Sequence, residues 1–368
     1  MPENGGRALR ARVRHTSRVR GVAAHMPSHA ETSSRRVPLS VLDLAPRSAG
    51  MTPRQALEES TRLAQEVDAL GYARFWMAEH HGSDTFMSSA TALLLGHMAQ
   101  HTSRIRLGSG GVMLPNHSPL MVAEYYGTLA TLYGDRFDLG LGRAPGTDPM
   151  TAAALARSSG QLNEFATEVL ALQTYLGEPQ PGAKVRAIPG EGTHVPLWML
   201  GSSTGGAQVA AALGLPFSFA SHFAPDQLRE ALMVYRDRFR ADSETAQVER
   251  PTTMAGVNVV VAPSQAEAEH LFTTAQLMAI RIRSGQPAPL DPPVDDLASA
   301  VPAQLVGLAQ AHQAVQAVGD PATVVARLEA FAAEHELDEL IVTTYTFDPE
   351  LRRRSYRLLA EAWGMPGA

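Results

Sequence analysis

Short apolar runs rich in branched residues alternate with amphipathic stretches along nearly the whole of this 368-residue chain. The runs are Val37–Leu44, Arg74–Ala78, Ile105–Leu114, Arg136–Leu141, Pro196–Leu200, Phe217–Ala220, Thr253–Val261 and Leu340–Thr344. None shows a polar residue at every second place, so each reads as a strand buried on both faces, the mark of a parallel sheet. Between them, helices are expected over 53–70, 90–100, 119–132, 161–175, 207–213, 226–240, from 265, again between a Pro-rich loop at 285–302 and residue 321, over 321–334 and over 350–363. The first is the clearest: Thr52 as cap, Pro53 at the first position, an apolar stripe at Ala56, Leu63, Val67 and Leu70, and a stop at Gly71. Parallel strands need long crossovers, and eight strand–helix units close most simply into a (β/α)8 TIM barrel with insertions. Residues 37–368 are therefore expected to form one barrel domain.

That architecture says where to look for chemistry, because such barrels carry it at the C-terminal ends of their strands. The segments after each strand are 43–48, 79–89, 110–117, 142–150, 201–206, 221–225, 262–264 and 345–348. Composition narrows the options. The chain has no cysteine, which excludes disulfides, thiolate-held metals, iron–sulfur clusters and a thiol nucleophile. Its single lysine is Lys184, so Schiff-base chemistry has no other candidate. Eight of its 31 basic residues but only two of its 37 acidic ones lie in residues 1–36, so this head carries +6 and the remainder −12. An acidic body is a poor binder of phosphate backbones, and no nucleic-acid partner is expected. The head has no apolar periodicity and reads as a disordered Arg-rich extension, with Met26 as a possible true start. Ser34-Arg35-Arg36 has the look of a twin-arginine signal, but the apolar run behind it is broken by Asp43 and Pro46 and is better used as the first strand. No apolar run reaches the ~20 residues that span a bilayer, so the expected place is the cytoplasm, with no membrane partner.

Several look-alikes fail on inspection. Gly140-Leu141-Gly142-Arg143-Ala144-Pro145-Gly146 has its third glycine one place late for a dinucleotide fingerprint, and Pro145 intervenes. Gly201-Ser202-Ser203-Thr204-Gly205-Gly206 has P-loop length, but Ala207 stands where a lysine is needed. His97 and His101 have zinc-protease spacing, yet Met98 replaces the glutamate, so they read as a helix-face pair and no metal is expected.

Three segments remain. Glu79-His80-His81 leaves the second strand, where His80 is either a general acid or base at the mouth or a histidine bonded to a neighbouring loop. Gly108, Gly110 and Gly111 weaken the third strand, which points to a bulge, a corner, or a close approach of something flat to the backbone. Leu200–Ala207 runs from a strand through a Gly/Ser loop into a helix, an anion site that Arg143 could complete.

Taken together, Glu79-His80-His81, Gly108–Pro115 with Asn116-His117 and Pro119, Asp138–Asp148, and Gly201-Ser202-Ser203 through Gly214-Leu215-Pro216 make the chain resemble the bacterial-luciferase-like flavin-dependent oxidoreductases and monooxygenases, in their single-chain branch, over about residues 37–364. The resemblance implies His80 as the catalytic residue and a bulge with a cis peptide at Gly110-Gly111, continuing to Val112, beneath the flavin ring. It implies that Arg143, Ser202, Ser203 and Gly206 hold the phosphate of FMN. It further implies reduced FMN supplied by a separate NAD(P)H reductase, reaction with O2 through a C4a-hydroperoxide, a small organic substrate and a homodimer. Segments 145–160 and 285–302 would form the lid. Phe86, Met113, His222 and Phe223 are candidates for the substrate pocket, with ordinary packing as their alternative. Where the luciferase has a reactive cysteine this chain has Gly142, so light emission is not implied. Deazaflavin-dependent hydride transfer and a non-catalytic flavin-binding role are the rival readings.

Overall fold

Thr52 starts the first helix as its sequence requires. Its hydroxyl accepts from the Gln55 backbone N–H, and the Gln55 side chain accepts from the Thr52 N–H, closing a capping box ahead of Pro53. Gly71 ends the helix at φ 89°, a left-handed conformation that costs glycine nothing. The computed structural model describes residues 36–155 and 158–368. The Arg-rich head up to residue 35 lies outside the described residues. Arg36, its last member, pairs with Glu329 at 2.6 Å and lies 5.2 Å from the Trp363 ring.

In chain order the elements are β1 (Leu39–Asp43), α1 (Pro53–Leu70), β2 (Arg74–Met77), α2 (Thr91–His101), β3 (Arg106–Ser109), β4 (Val112–Met113), α3 (Pro119–Tyr133), β5 (Phe137–Gly142), α4 (Pro149–Ala154) and α5 (Leu162–Leu176). They continue as β6 (Leu197–Gly201), α6 (Thr204–Leu213), β7 (Phe217–Phe219), α7 (Leu228–Arg238), β8 (Thr253–Val261), α8 (Gln265–Arg283), α9 (Leu297–Ala300), α10 (Ala303–His312), β9 (Gln316–Gly319), α11 (Pro321–Glu334), β10 (Glu339–Thr343) and α12 (Pro349–Trp363). Parallel pairing runs β10–β1–β2–β3–β5–β6–β7–β8, and β8 pairs back to β10, which closes an eight-stranded (β/α)8 barrel. β4 pairs with β5 and completes the interrupted third staff.

The expected strand 105–114 is split between β3 and β4 by the cis peptide at Gly110-Gly111 that the resemblance implied. Three other details depart from the sequence reading. β9 lies in a region read as helical; it pairs with the outer half of β8 outside the barrel. The helix expected from 207 begins three residues earlier, at Thr204. The helix expected over 226–240 is shorter, Leu228–Arg238, after a single turn at Pro225–Gln227. His97 and His101 share a helix face as expected, with rings 4.4 Å apart and His101 Nδ1 bonded to the His97 carbonyl oxygen at 2.9 Å.

Alternate residues of each strand serve two cores. Leu39, Val41, Phe75, Met77, Leu107, Phe137, Leu139, Leu340 and Val342 pack outward on the helices. Leu42, Trp76, Trp198, Met254 and Ile341 form the second cluster, inside the barrel, where Trp76 and Trp198 meet edge to face at 5.5 Å. The lower end is sealed by charge. Arg74 pairs with Asp138 at 2.6 Å and Glu339 at 3.0 Å, and Arg106 pairs with Asp138 at 2.7 Å. Trp76 Nε1 donates to the same Asp138 carboxylate at 3.2 Å, and Ser40 donates to Glu339. These partners hold the buried Asp138 carboxyl below its ordinary range although burial alone would raise it.

The strand glycines are explained by this packing. A Cβ at Gly108 would stand 2.7 Å from both the Asp138 carbonyl oxygen and Trp76 Nε1. One at Gly111 would stand 2.7 Å from the Gly140 carbonyl oxygen, and one at Gly110 would meet Leu42 at 2.6 Å. Neighbouring staves and the inner layer thus require glycine here independently of any ligand.

Candidate active site

Above the Trp76–Trp198 layer the inward positions of β2, β3, β5 and β7 continue with the small residues Ala78, Gly110, Gly142 and Ala220, whereas Leu44, Leu200 and Tyr345 join the inner cluster from other staves. The C-terminal strand ends form the mouth of the barrel. A Cβ at Gly142 would approach Met113 Sδ at 3.0 Å, so Met113 overlies that position.

One side of the mouth carries a helix start without a side-chain cap. α6 starts directly beyond β6, its cap residue Ser203 makes no side-chain capping bond, and its first turn carries no acidic residue. The first N–H groups of α6 thus keep their positive end uncapped by the chain. Gly201 and Gly206 bring the strand end and helix start together, since a Cβ at Gly206 would lie 3.2 Å from the Gly201 Cα. Arg143, just past β5, bonds the Gly160 carbonyl oxygen at 3.4 Å, and its Nη2 would stand 3.8 Å from a Cβ on Gly205. The four sequence-predicted anion residues Arg143, Ser202, Ser203 and Gly206 are thus brought to one place.

His80 sits at another point of the rim. Its backbone N–H donates to the Ser88 carbonyl oxygen at 3.1 Å. Its ring lies 5.2 Å from that of Phe86, which in turn lies 6.1 Å from Tyr345. Burial among these groups lowers the imidazole from 6.5 to about 4, against the opposing pull of Glu79, so the ring is neutral near pH 7. His222 and Phe223 stand elsewhere on the rim, ring to ring at 5.0 Å, with the His222 ring over Gly256 and Phe223 44% exposed. Val112 directs its side chain into the outer core, which leaves only its backbone for the mouth.

Glu79 is the functional group that residue-type reasoning passed over. It is buried, and its Oε1 accepts from His81 Nε2 at 2.8 Å and His117 Nε2 at 2.9 Å. Asn116 Nδ2 reaches Oε1 at 3.3 Å, and the Met113 N–H reaches Oε2 at 3.2 Å. Burial alone would raise this carboxyl; the bonds from His117 and His81 outweigh it and hold it at about 2. The signal available in the sequence was Glu79 two places before His81, the spacing at which extended residues share a side.

These two groups give the fold an acid-sensitive window. The unfolded chain protonates His80 below about 6.5 while the folded one resists until about 4, so stability falls as pH drops through that interval. The Glu79 carboxyl is lowered in the same direction, so its contribution is complete above 4.5 and is lost as pH falls from there towards about 2. Urea titrations from pH 7 to 4 should show unfolding free energy declining, with a shallower slope in His80→Asn; equal slopes would contradict the assignment to His80.

Among the described residues, no helix is long and apolar enough to cross a membrane. A family model for luciferase-like monooxygenases matches residues 37–336. A luciferase-like monooxygenase of Escherichia coli K12 is 43% identical over 328 residues, covering 89% of this chain and 97% of the relative. The N-acetyl-S-alkylcysteine monooxygenase of Bacillus subtilis is 32% identical over 255 residues, 67% of this chain and 75% of the relative. The crystal structure of apo-MsnO8 superposes with a TM-score of 0.77 at 36% identity, covering 90% of this chain and 99% of that one. With a closed parallel barrel, its glycine-split third staff and these matches along most of its length, the chain belongs to the luciferase-like monooxygenase family.

Proposed function

We propose that this protein binds FMN at the barrel mouth and, with the flavin reduced by a separate NAD(P)H reductase, uses O2 to oxidise a small organic substrate as a homodimer. The observation that carries the reading is the uncapped start of α6 beside Arg143, which together would form an anion cradle at the C-terminal end of the barrel. Arg143 and the α6 N–H groups, with Ser202, Ser203 and Gly206, would hold the phosphate by charge-assisted bonds. Gly110, Gly111 and the backbone of Val112 would underlie the ring. When bound, reduced FMN supplies the two electrons that take one atom of O2 to water while the other enters the substrate. His80, neutral near pH 7, would accept or return a proton at a nitrogen of its ring. Phe86 and Tyr345 make the surroundings of that ring apolar and help exclude water. The segment after α8 bonds across the mouth loops, from the Thr85 hydroxyl to the Ala288 carbonyl oxygen at 2.7 Å and between Leu290 and Arg47 at 2.8 Å, which suits it to the lid role.

The test is differential binding. Wild type should bind FMN more tightly than riboflavin. Arg143→Ala should weaken FMN by roughly 10–100-fold, the loss of charge-assisted bonds worth about 1.5–3 kcal/mol, and leave riboflavin within about threefold. Equal effects on both ligands would remove Arg143 from the phosphate site. Tight deazaflavin binding without FMN binding would replace the reading by hydride transfer. Incubation with reduced FMN, labelled O2 and N-acetyl-S-alkylcysteine or aldehyde probes should put one labelled oxygen atom into a product; oxidation of the flavin with no labelled product from any probe counts against oxygenation.

A further inference from the structure

Glu79 gathers donors from separate stretches of chain. His81 lies in its own segment beyond β2, whereas Met113, Asn116 and His117 belong to the segment around and after β4. The same residues pass bonds on to the segment after β5, which begins at Arg143. Asn116 Nδ2 donates to the Pro145 carbonyl oxygen at 3.0 Å, the His81 N–H to that of Gly146 at 3.2 Å, and the Thr147 hydroxyl to that of His81 at 2.8 Å. There is no slack between them: a Cβ at Gly146 would stand 2.8 Å from the Glu79 carbonyl oxygen and 3.1 Å from Met113 Cγ. His80 is the next residue in the chain.

We propose that Glu79 is a positioning residue that couples the phosphate end of the site, the Arg143 segment, to the His80 end. The proposal rests on the flavin reading only for the identity of the ligand. An ionised carboxylate can only accept, so His81 and His117 carry protons on Nε2 and donate them to Glu79. Glu79, His81 and His117 place ligand-type atoms within 4.8 Å of one another. The spacings of 2.8 and 2.9 Å nevertheless belong to proton-bridged pairs. A tetrahedral zinc ion about 2.0–2.1 Å from each atom would hold its ligands about 3.3 Å apart. The cluster is therefore a hydrogen-bonded clamp.

The experiment compares hydrogen exchange in full-length wild type and Glu79→Gln, each free, with riboflavin and with FMN. In wild type, FMN should slow exchange over residues 79–88 at least tenfold more than riboflavin does. In Glu79→Gln the extra protection should be confined to 143–148 and 201–206. Retention of the extra protection at 79–88 in the variant overturns the coupling. The free proteins give an independent arm: Glu79→Gln should exchange at least tenfold faster over 110–117 and 143–148, and unchanged rates overturn the clamp. If wild type binds neither flavin, the cofactor reading fails while this arm still decides the clamp. If Glu79→Gln does not fold, Asn116→Ala, which removes one donor to Glu79 and the bond to Pro145, should show the same loosening to a smaller degree, and no loosening overturns the proposal. Tight one-to-one zinc binding by wild type that disappears in the Glu79 or Asn116 variant also overturns it, since the nitrogens would then be ligands.

Discussion

Asp138→Ala should lower the free energy of unfolding by about 3–5 kcal/mol, the cost of leaving buried partners without their counter-charge. Asp138 is the shared anion at the base of the barrel: Arg74 and Arg106 pair with it, and Trp76 donates to it. Its removal leaves Arg74, only 16% exposed, with Glu339 alone, and takes away the acceptor of a buried indole N–H. Thermal unfolding by circular dichroism should show a midpoint on the order of 5–10 °C lower. Asp138→Asn keeps an acceptor but no charge and should fall between. A loss below about 1 kcal/mol in Asp138→Ala would mean that the seal is held by shape alone. Because the carboxyl is held below its ordinary range, its contribution is complete at neutral pH and is lost as pH falls through that lowered value.

The second large effect concerns turnover. His80→Ala should reduce kcat by about 10²–10⁴-fold on whichever probe the wild type oxidises, the usual worth of a placed acid or base. FMN affinity should stay within about twofold, because the anion cradle stands at a different point of the rim. Turnover within threefold of wild type would return His80 to packing against Phe86, and loss of FMN binding would make it a binding residue. Burial holds the ring neutral down to about 4, so an acid limb due to His80 should lie near pH 4, well below the 6.5 of a solvated imidazole.

The barrel and most of its element boundaries were legible because local chemistry sets them. Thr52, Pro53 and Gly71 fix α1 without help from any distant residue, and uninterrupted apolar runs declare strands covered on both faces. β9 was missed because Gln316–Gly319 is short and sits among alanines and glutamines, so its strand character comes from pairing with β8. α6 was started late because Thr204-Gly205-Gly206 has poor helix propensity, and that turn is set by the close approach of Gly206 to Gly201.

For the candidate site, the sequence points to segments and the tertiary structure decides which groups meet. His80, Arg143 and the 202–206 loop could be picked out because strand ends in a barrel share one face. Whether the strand glycines answered to a ligand or to the fold could not be decided from the chain, since Trp76, Asp138 and Gly140 are distant in sequence and adjacent only once the staves are in register. Glu79 shows the same limit most clearly. Its residue type says only that it is acidic; its low pKa owes most to His117, with His81 and the Met113 N–H, and its hold on the 113–117 segment comes from His117, Asn116 and Met113, which parallel pairing and barrel closure bring to it across 34–38 positions of sequence. Local propensity determined the elements, and long-range register determined which polar groups would meet where water is excluded.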